Sequence, residues 1–237
     1  MPNNHPFEEI RNTACFSSES LAKIKEIMYE SKAPMNTFLY REGDPVNELY
    51  YIHQGRIRIS KSTDDGKHFI LSMHQEGDLF GQFDPSPESF HTFAAETLEN
   101  ATVGVMQLKD LEALLWQNRD LSLEFMKWMS LMNRLTQTKV RDLMLFGKPG
   151  ALCSLLIRLG NTYGIQHGKQ ILITKQFTNL ELAEMIGATR ECVNRILGKL
   201  RRDDVISYQD GFIVIDSMQY LREVCHCENC PKEVCRI

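Results

Sequence analysis

Between about positions 36 and 107 the chain alternates apolar and polar residues in short runs, LYYIHQG, RIRIS, HFILSM and TVGVMQL. Turn signals separate them: Glu42-Gly43-Asp44-Pro45, Gln54-Gly55, Asp64-Asp65-Gly66 and Glu76-Gly77-Asp78. Runs rich in β-branched and aromatic residues at this spacing predict a small antiparallel barrel or jelly roll. Such a barrel either encloses a ligand or serves as a packed scaffold, and the pattern does not choose between them. Ahead of it, residues 6–32 read as a short helical segment, with Leu21, Ile24, Ile27 and Met28 at helical spacing. Cys15, alone in that segment, reads as a small buried hydrophobe.

Helical spacing returns over residues 108–147. Leu121, Phe125, Trp128, Met132 and Leu135 recur at intervals of four, three, four and three, the repeat of a coiled-coil seam. A seam on a helix of roughly 25 residues predicts a partner helix, hence a homodimer. The same repeat puts Lys139 and then Asp142 on or beside the seam. A carboxylate there reads as a salt bridge with Lys139 or Arg134, as a frayed helix end, or as a ligand aimed into the dimer or toward the tail. Gly147-Lys148-Pro149-Gly150 then breaks the helix and serves as a hinge, with the domain boundary between Asp142 and Gly150.

Beyond the hinge, Ala151 to Tyr163 reads as an amphipathic helix and Ile171–Thr174 as a strand. Thr178 and Glu181 fit a capping box that opens a helix carrying Leu182, Ala183 and Ile186 inward. Gly187 permits a tight turn, and Thr189 caps a second helix from Arg190 to about Arg202. Val205–Tyr208 and Phe212–Ile215, joined through Asp210-Gly211, form a hairpin. Two short helices on a glycine turn followed by this wing predict a winged helix-turn-helix. On its second helix, Val193, Ile196, Leu197 and Leu200 face inward. Arg190, Glu191, Asn194 and Arg195 lie on the other side near the N-terminus, where such helices read base edges. Thr178, Thr189, Lys199, Arg201 and Arg202 are placed to meet phosphates.

Composition narrows the class. A chain of 237 residues, 43% hydrophobic and 24% charged, has room for two ordinary domains. The formal charge of −4 argues against a globally basic coat but leaves room for a local basic face. No run of eighteen apolar residues predicts a membrane span, and the first residues lack the pattern of a signal peptide. A cytoplasmic protein with reduced thiols is therefore expected. Four of the seven cysteines fall in the last stretch, as Cys225, Cys227, Cys230 and Cys235. Thiols this dense in a reducing compartment point to metal binding or redox chemistry. Soft thiolates suit zinc, copper(I) or iron–sulfur clusters, and the spacing does not separate these.

The arrangement as a whole, an α+β chain of β-roll, long helix and winged helix, resembles the Crp/Fnr family of bacterial transcription regulators. TRECVNRILGKLRRDDVI resembles that family's recognition helix, with Arg190, Glu191 and Arg195 at its base-reading positions. The resemblance implies palindromic DNA with half-sites of the TGTGA kind and RNA polymerase as a partner. Cyclic-nucleotide binders of the family carry an arginine-serine pair on the phosphate. Here Gly81-Gln82-Phe83 and His91-Thr92 stand in that region, which argues against cyclic AMP sensing. The run CENCPKEVC resembles the Bacillus-type Fnr branch. That branch implies one 4Fe–4S cluster per subunit on Cys227, Cys230 and Cys235, with Asp142 as fourth ligand and Cys225 as its rival.

The resulting expectation is a non-enzymatic, oxygen-responsive regulator of anaerobic respiration and fermentation genes. Its parts are a β-roll sensor with N-terminal helix (1–107), a dimerisation helix (108–147), a winged helix (148–220) and a cluster-binding tail (221–237). Three other readings stand beside it: a zinc clip or thiol switch in the tail, a small-molecule sensor in the β-roll, and a metal-dependent β-roll enzyme. The last lacks the expected motif, since His53, His68, His74 and His91 show no His-x-His spacing.

Overall fold

A computed structural model describes residues 10–84, 86 and 88–237. They fall into two compact units, one of Arg11–Met132 and one of Ile10 with Asn133–Ile237, with the chain passing from the first to the second inside a helix.

In the first unit a short 3-10 turn (Asn12–Cys15) leads to helix α1 (Ser18–Glu26), whose first turn is capped by the Ser17 hydroxyl. The helical reading of residues 6–32 is too long. The backbone turns extended at Tyr29–Ala33, strand β1, which pairs residue for residue with β8 (Ala101–Gln107). A long-range ladder thus overrides local spacing there. Positions 6–9 of that reading lie outside the described residues. The remaining strands are β2 (Phe38–Tyr40), β3 (Glu48–Gln54), β4 (Ile57–Ser62), β5 (His68–His74), β6 (Leu79–Phe80) and β7 (Ala94–Thr97). They form two antiparallel four-stranded sheets, ordered β1-β8-β3-β6 and β2-β7-β4-β5, which is the expected β-roll.

Strand β3 shows how the roll is packed. Its residues alternate faces. Tyr50 and Ile52 join Ile57, Ile59, Phe80, Val103 and Val105 in a core drawn from both sheets. Leu49 and Tyr51 join a second core with Ile24, Leu108, Leu111, Leu121, Phe125 and Trp128. That second core corrects two expectations. The helix read as continuous from residue 108 is broken at Asn118, which is extended and whose side-chain amide donates back to the Leu114 carbonyl at 2.9 Å. It divides helix α2 (Leu108–Gln117) from helix α3 (Arg119–Tyr163). The seam of Leu121, Phe125, Trp128, Met132 and Leu135 is also covered by its own chain. The first three are fully buried in this core, Met132 packs against it, and Leu135 is buried. The heptad is real, but three of its members already have a partner in α1, α2 and β3. The large apolar positions left exposed along α3 are Leu123, Met126, Met129, Val140, Met144 and Leu145.

The second unit begins on α3. Gly147 interrupts that helix with φ 58° and ψ −166°, a combination essentially confined to glycine. Pro149 follows in the first turn of the resumed helix, where a missing N–H costs nothing. Gly147→Ala is expected to destabilise by about 1–3 kcal/mol through backbone strain alone, because the added Cβ meets nothing nearer than 3.9 Å. Thermal melts should show a fall of about 2–4 °C per kcal/mol. Residues 150–160 are buried on every side. By length and composition α3 would span a bilayer, but most of its apolar stretch lies inside the protein, as in a core helix. Strands β9 (Gly164–His167) and β10 (Gln170–Ile173), helices α4 (Asn179–Met185) and α5 (Arg190–Arg202), strands β11 (Ile206–Gln209) and β12 (Phe212–Ile215), and helix α6 (Met218–Val224) complete the chain. The sheet order is β11-β12-β10-β9. Asp210 and Gly211, with φ of 50° and 83°, make the wing's turn, whose two left-handed residues match the twist of its strands.

Candidate functional site

Helix α5 carries the first half of the site. Thr178 caps α4 in a full capping box with Glu181, and the Thr189 hydroxyl accepts from the Cys192 amide at 3.3 Å to start α5. Val193, Ile196, Leu197 and Leu200 are buried. Arg190, Glu191, Asn194 and Arg195 are all exposed on the opposite face, as are Thr178, Thr189, Lys199, Arg201 and Arg202. Glu191 is held below the usual carboxylate range by its own backbone N–H at the helix start, then by Thr189 and Arg190. It therefore offers a pure acceptor. Asn194 is not free to turn, because the Asn179 amide of α4 donates to its carbonyl oxygen. Below the reading helix, the Lys148 ammonium donates to the carbonyls of Ile186 and Gly187 at 3.1 and 2.5 Å. That bond ties the hinge to the turn between α4 and α5.

The second half lies where the tail meets α3. Asp142, only 2% exposed, has both carboxylate oxygens engaged. Oδ1 accepts from Arg141 Nε and Nη2 at 3.1 and 2.7 Å, and Oδ2 accepts from Arg158 Nη2 at 3.1 Å and from the Ser154 hydroxyl. Of the three sequence readings of this residue, the frayed end is excluded by burial. The ion pair is present, but with Arg141 and Arg158. Arg158 is itself 4% exposed, and a cation so enclosed needs its carboxylate.

After α6 the backbone makes two left-handed steps, at His226 and Asn229. A turn follows in which the amides of Val234 and Cys235 donate to the Pro231 carbonyl at 3.0 and 2.9 Å. These bends bring Cys225, Cys227, Cys230 and Cys235 to the wall of one small cavity of about 20 Å³, shared with Thr138, Arg141, Ser154 and Arg158. That volume holds about one water. Burial pushes the Cys225 thiol up to about 11, and Cys227, Asp142 and Cys235 add to the rise. Burial also raises Cys235, opposed by Arg158. Lys139 falls to about 7 through burial, then through Arg158 and Arg236. Cys225 and Cys235 thus both lie within reach of the Asp142 charge, and Cys235 also of Arg158. Among the described residues, no three His, Cys, Asp or Glu side chains stand close enough to hold a single metal ion. Cys153 is buried, its thiol pushed up to about 12 by burial and then by Cys225.

Sequence reasoning missed Arg141, Ser154, Arg158 and Glu228 as parts of this site. Glu228 pairs with Arg141 at 2.5 Å. A signal existed for two of them. Ser154 and Arg158 are polar residues four apart in an otherwise apolar run, ALCSLLIRLG, and buried polar groups require partners.

Two family models match the chain. Residues 30–118 match the cyclic nucleotide-binding domain and residues 150–224 the Crp-like helix-turn-helix domain. The anaerobic regulatory protein of Bacillus subtilis is 44% identical over 223 residues, covering 93% of this chain and 94% of that protein. A CRP-like cAMP-activated global transcriptional regulator of Mycobacterium tuberculosis is 26% identical over 191 residues, or 79% of this chain and 84% of that one. Among solved structures, a CooA mutant from Carboxydothermus hydrogenoformans matches with TM-score 0.75 at 17% identity, covering 91% of this chain and 99% of that one. It supports the fold.

Proposed function

Because the chain belongs to the Crp/Fnr family of DNA-binding transcription regulators, we propose that it is an oxygen-responsive member controlling anaerobic respiration and fermentation genes. The observation that carries this reading is the gathering of the tail thiols on one cavity beside the three side chains that hold Asp142. The relative from Bacillus subtilis, named as an anaerobic regulator, supports it. Three soft thiols and one carboxylate suit an iron–sulfur centre. Cys227, Cys230, Cys235 and Asp142 would hold one 4Fe–4S cluster per subunit, with Cys225 as the rival fourth donor. When bound, that group supplies an oxygen-labile crosslink between the tail and α3.

The chain's own residues do the rest. To hold that group, Asp142 would have to share its carboxylate between it and Arg158, Ser154 or Arg141. The thiols lose their protons to solvent on loading, and Arg141 and Arg158 offset the negative charge that results. Lys148 carries the setting of the hinge to the turn ahead of α5. In a cytoplasmic homodimer, two copies of α5 would then sit about 34 Å apart on a TGTGA-type palindrome, with RNA polymerase as the further partner. Cyclic nucleotide is not counted among the ligands: the nearby Lys61 ammonium is taken up by Glu42 at 2.7 Å and the Thr92 carbonyl at 3.3 Å, and His91 stands where the family's phosphate-gripping pair would fall. That imidazole is buried and stacked on Tyr40 at 3.7 Å, and burial lowers its affinity for a proton. Protein purified under nitrogen should be coloured, hold iron and sulfide in equal amounts, and bleach in air with loss of operator binding. Stoichiometric zinc without sulfide would overturn the reading.

A further inference from the structure

We propose that Arg158 is the positioning residue of this site, and that it docks the tail on α3 before any iron is bound. This rests on the cluster reading for its purpose but not for its geometry. One guanidinium makes two bonds: Nη2 donates to Asp142 at 3.1 Å, and Nη1 donates to the Val234 carbonyl at 3.2 Å. Val234 immediately precedes Cys235. A planar fork with fixed donor directions therefore sets the separation between the helix carboxylate and the last thiol.

The next turn of α3 continues the dock. The Asn161 amide donates to the Cys235 carbonyl at 2.7 Å, and the Thr162 hydroxyl accepts from the Ile237 amide at 3.2 Å while donating to the Arg158 carbonyl at 2.8 Å. Val234, Arg236 and Ile237 are buried. Except for Asp142, every group these three side chains bond is backbone, so they hold the tail in place without depending on its side chains. Burial and these bonds need no metal. It follows that residues 234–237 stay docked when the crosslink is lost. The loop around Cys227 to Cys230 is held more weakly, by the stacking of Phe146 on His226 at 4.9 Å and by an Arg141–Glu228 pair whose carboxylate is exposed to water, and is the part freed to move. The switch is thus a loop release on a standing anchor, which keeps Cys235 and Asp142 close to each other for reassembly.

Hydrogen exchange followed by mass spectrometry, on full-length protein stripped of metal under nitrogen, tests the anchor directly. Wild-type peptides covering 231–237 should be protected, and should exchange at least about tenfold faster in Arg158→Gln. Arg158→Lys keeps the charge beside Asp142 but not the fork. It should melt close to wild type yet retain less than about half the iron and sulfide after anaerobic reconstitution, a split that a general packing role would not produce. Asn161→Ala leaves the Asp142 pair intact and decides the matter if Arg158→Gln fails to fold; its tail should exchange about threefold faster or more. Tail amides that exchange at the unstructured rate in metal-free wild type overturn the proposal, even if the cluster forms. Unchanged tail exchange in Asn161→Ala overturns it as well. Failure of wild type to take up iron and sulfide, with the tail still protected, instead removes the cluster reading and leaves the anchor standing.

Discussion

Replacing Asp142 with alanine is expected to lower the stability of the metal-free protein by about 3–5 kcal/mol, the usual consequence of removing one partner from a buried ion pair. The cause is specific. Arg158, at 4% exposure, loses its carboxylate, and so does the Ser154 hydroxyl beside it. Arg141 lies nearer to water and loses less. Under the proposed function the same substitution also removes the fourth ligand, so reconstituted protein should hold little iron and bind its operator weakly under nitrogen. Asp142→Asn separates the two effects, because an amide oxygen still accepts from Arg158 and Ser154 but is a poor ligand for iron. Urea unfolding of both variants, beside iron and sulfide assays, gives the comparison. A destabilisation below about 1 kcal/mol for the alanine variant would mean that Asp142 and Arg158 are solvated in the working protein. Full cluster content in the asparagine variant would move the fourth bond to Cys225.

Arg195→Ala should cost DNA affinity without costing stability. The side chain is exposed on α5, so unfolding should shift by no more than about 0.5 kcal/mol. A bidentate hydrogen-bonded pair with a base is worth about 1–3 kcal/mol. A dimer forfeits it twice, so operator binding should weaken by about 2–6 kcal/mol, roughly 30-fold to 10⁴-fold. Binding to random DNA should barely change. Lys199→Ala should do the opposite, weakening all sequences alike and reducing the salt slope by about one for each phosphate no longer neutralised. Titrations over a range of salt on operator and random duplexes distinguish the two. Equal losses on both duplexes for Arg195→Ala would place that arginine on phosphate and leave base reading to Arg190, Glu191 and Asn194.

The expectations that held depend on neighbours in sequence. The capping box of Thr178 and Glu181, the Gly187 turn, the apolar stripe of α5 and the Asp210-Gly211 hairpin each involve residues within a few positions of one another. Backbone sterics and local hydrogen bonds decide such features. The alternation in β3 and β8 likewise follows from a side-chain period of two. The readings that needed correction depended on which face meets what. Leu121, Phe125 and Trp128 carry the repeat of a two-helix seam, and nothing local says that α1, α2 and β3 already cover them. Residues 29–33 have no local reason to leave a helix except a strand some seventy residues downstream.

The same division runs through the candidate site. Sequence alone marked its candidate donors, because four cysteines within eleven residues are gathered by a short stretch of chain whose closure costs little entropy. It also marked Asp142 as out of place on its helix. Only the tertiary structure decided what holds that carboxylate. Arg158 and Ser154 lie beyond the Gly147 break, and their bonds to Asp142 exist because the resumed helix returns alongside it. Tertiary structure likewise decided that the tail rests on Arg158, Asn161 and Thr162. Periodicity can state which residues share a face. Which face is covered, and by which charge, is settled by the cost of burying polar groups without partners, and that cost is known only once the chain has closed on itself.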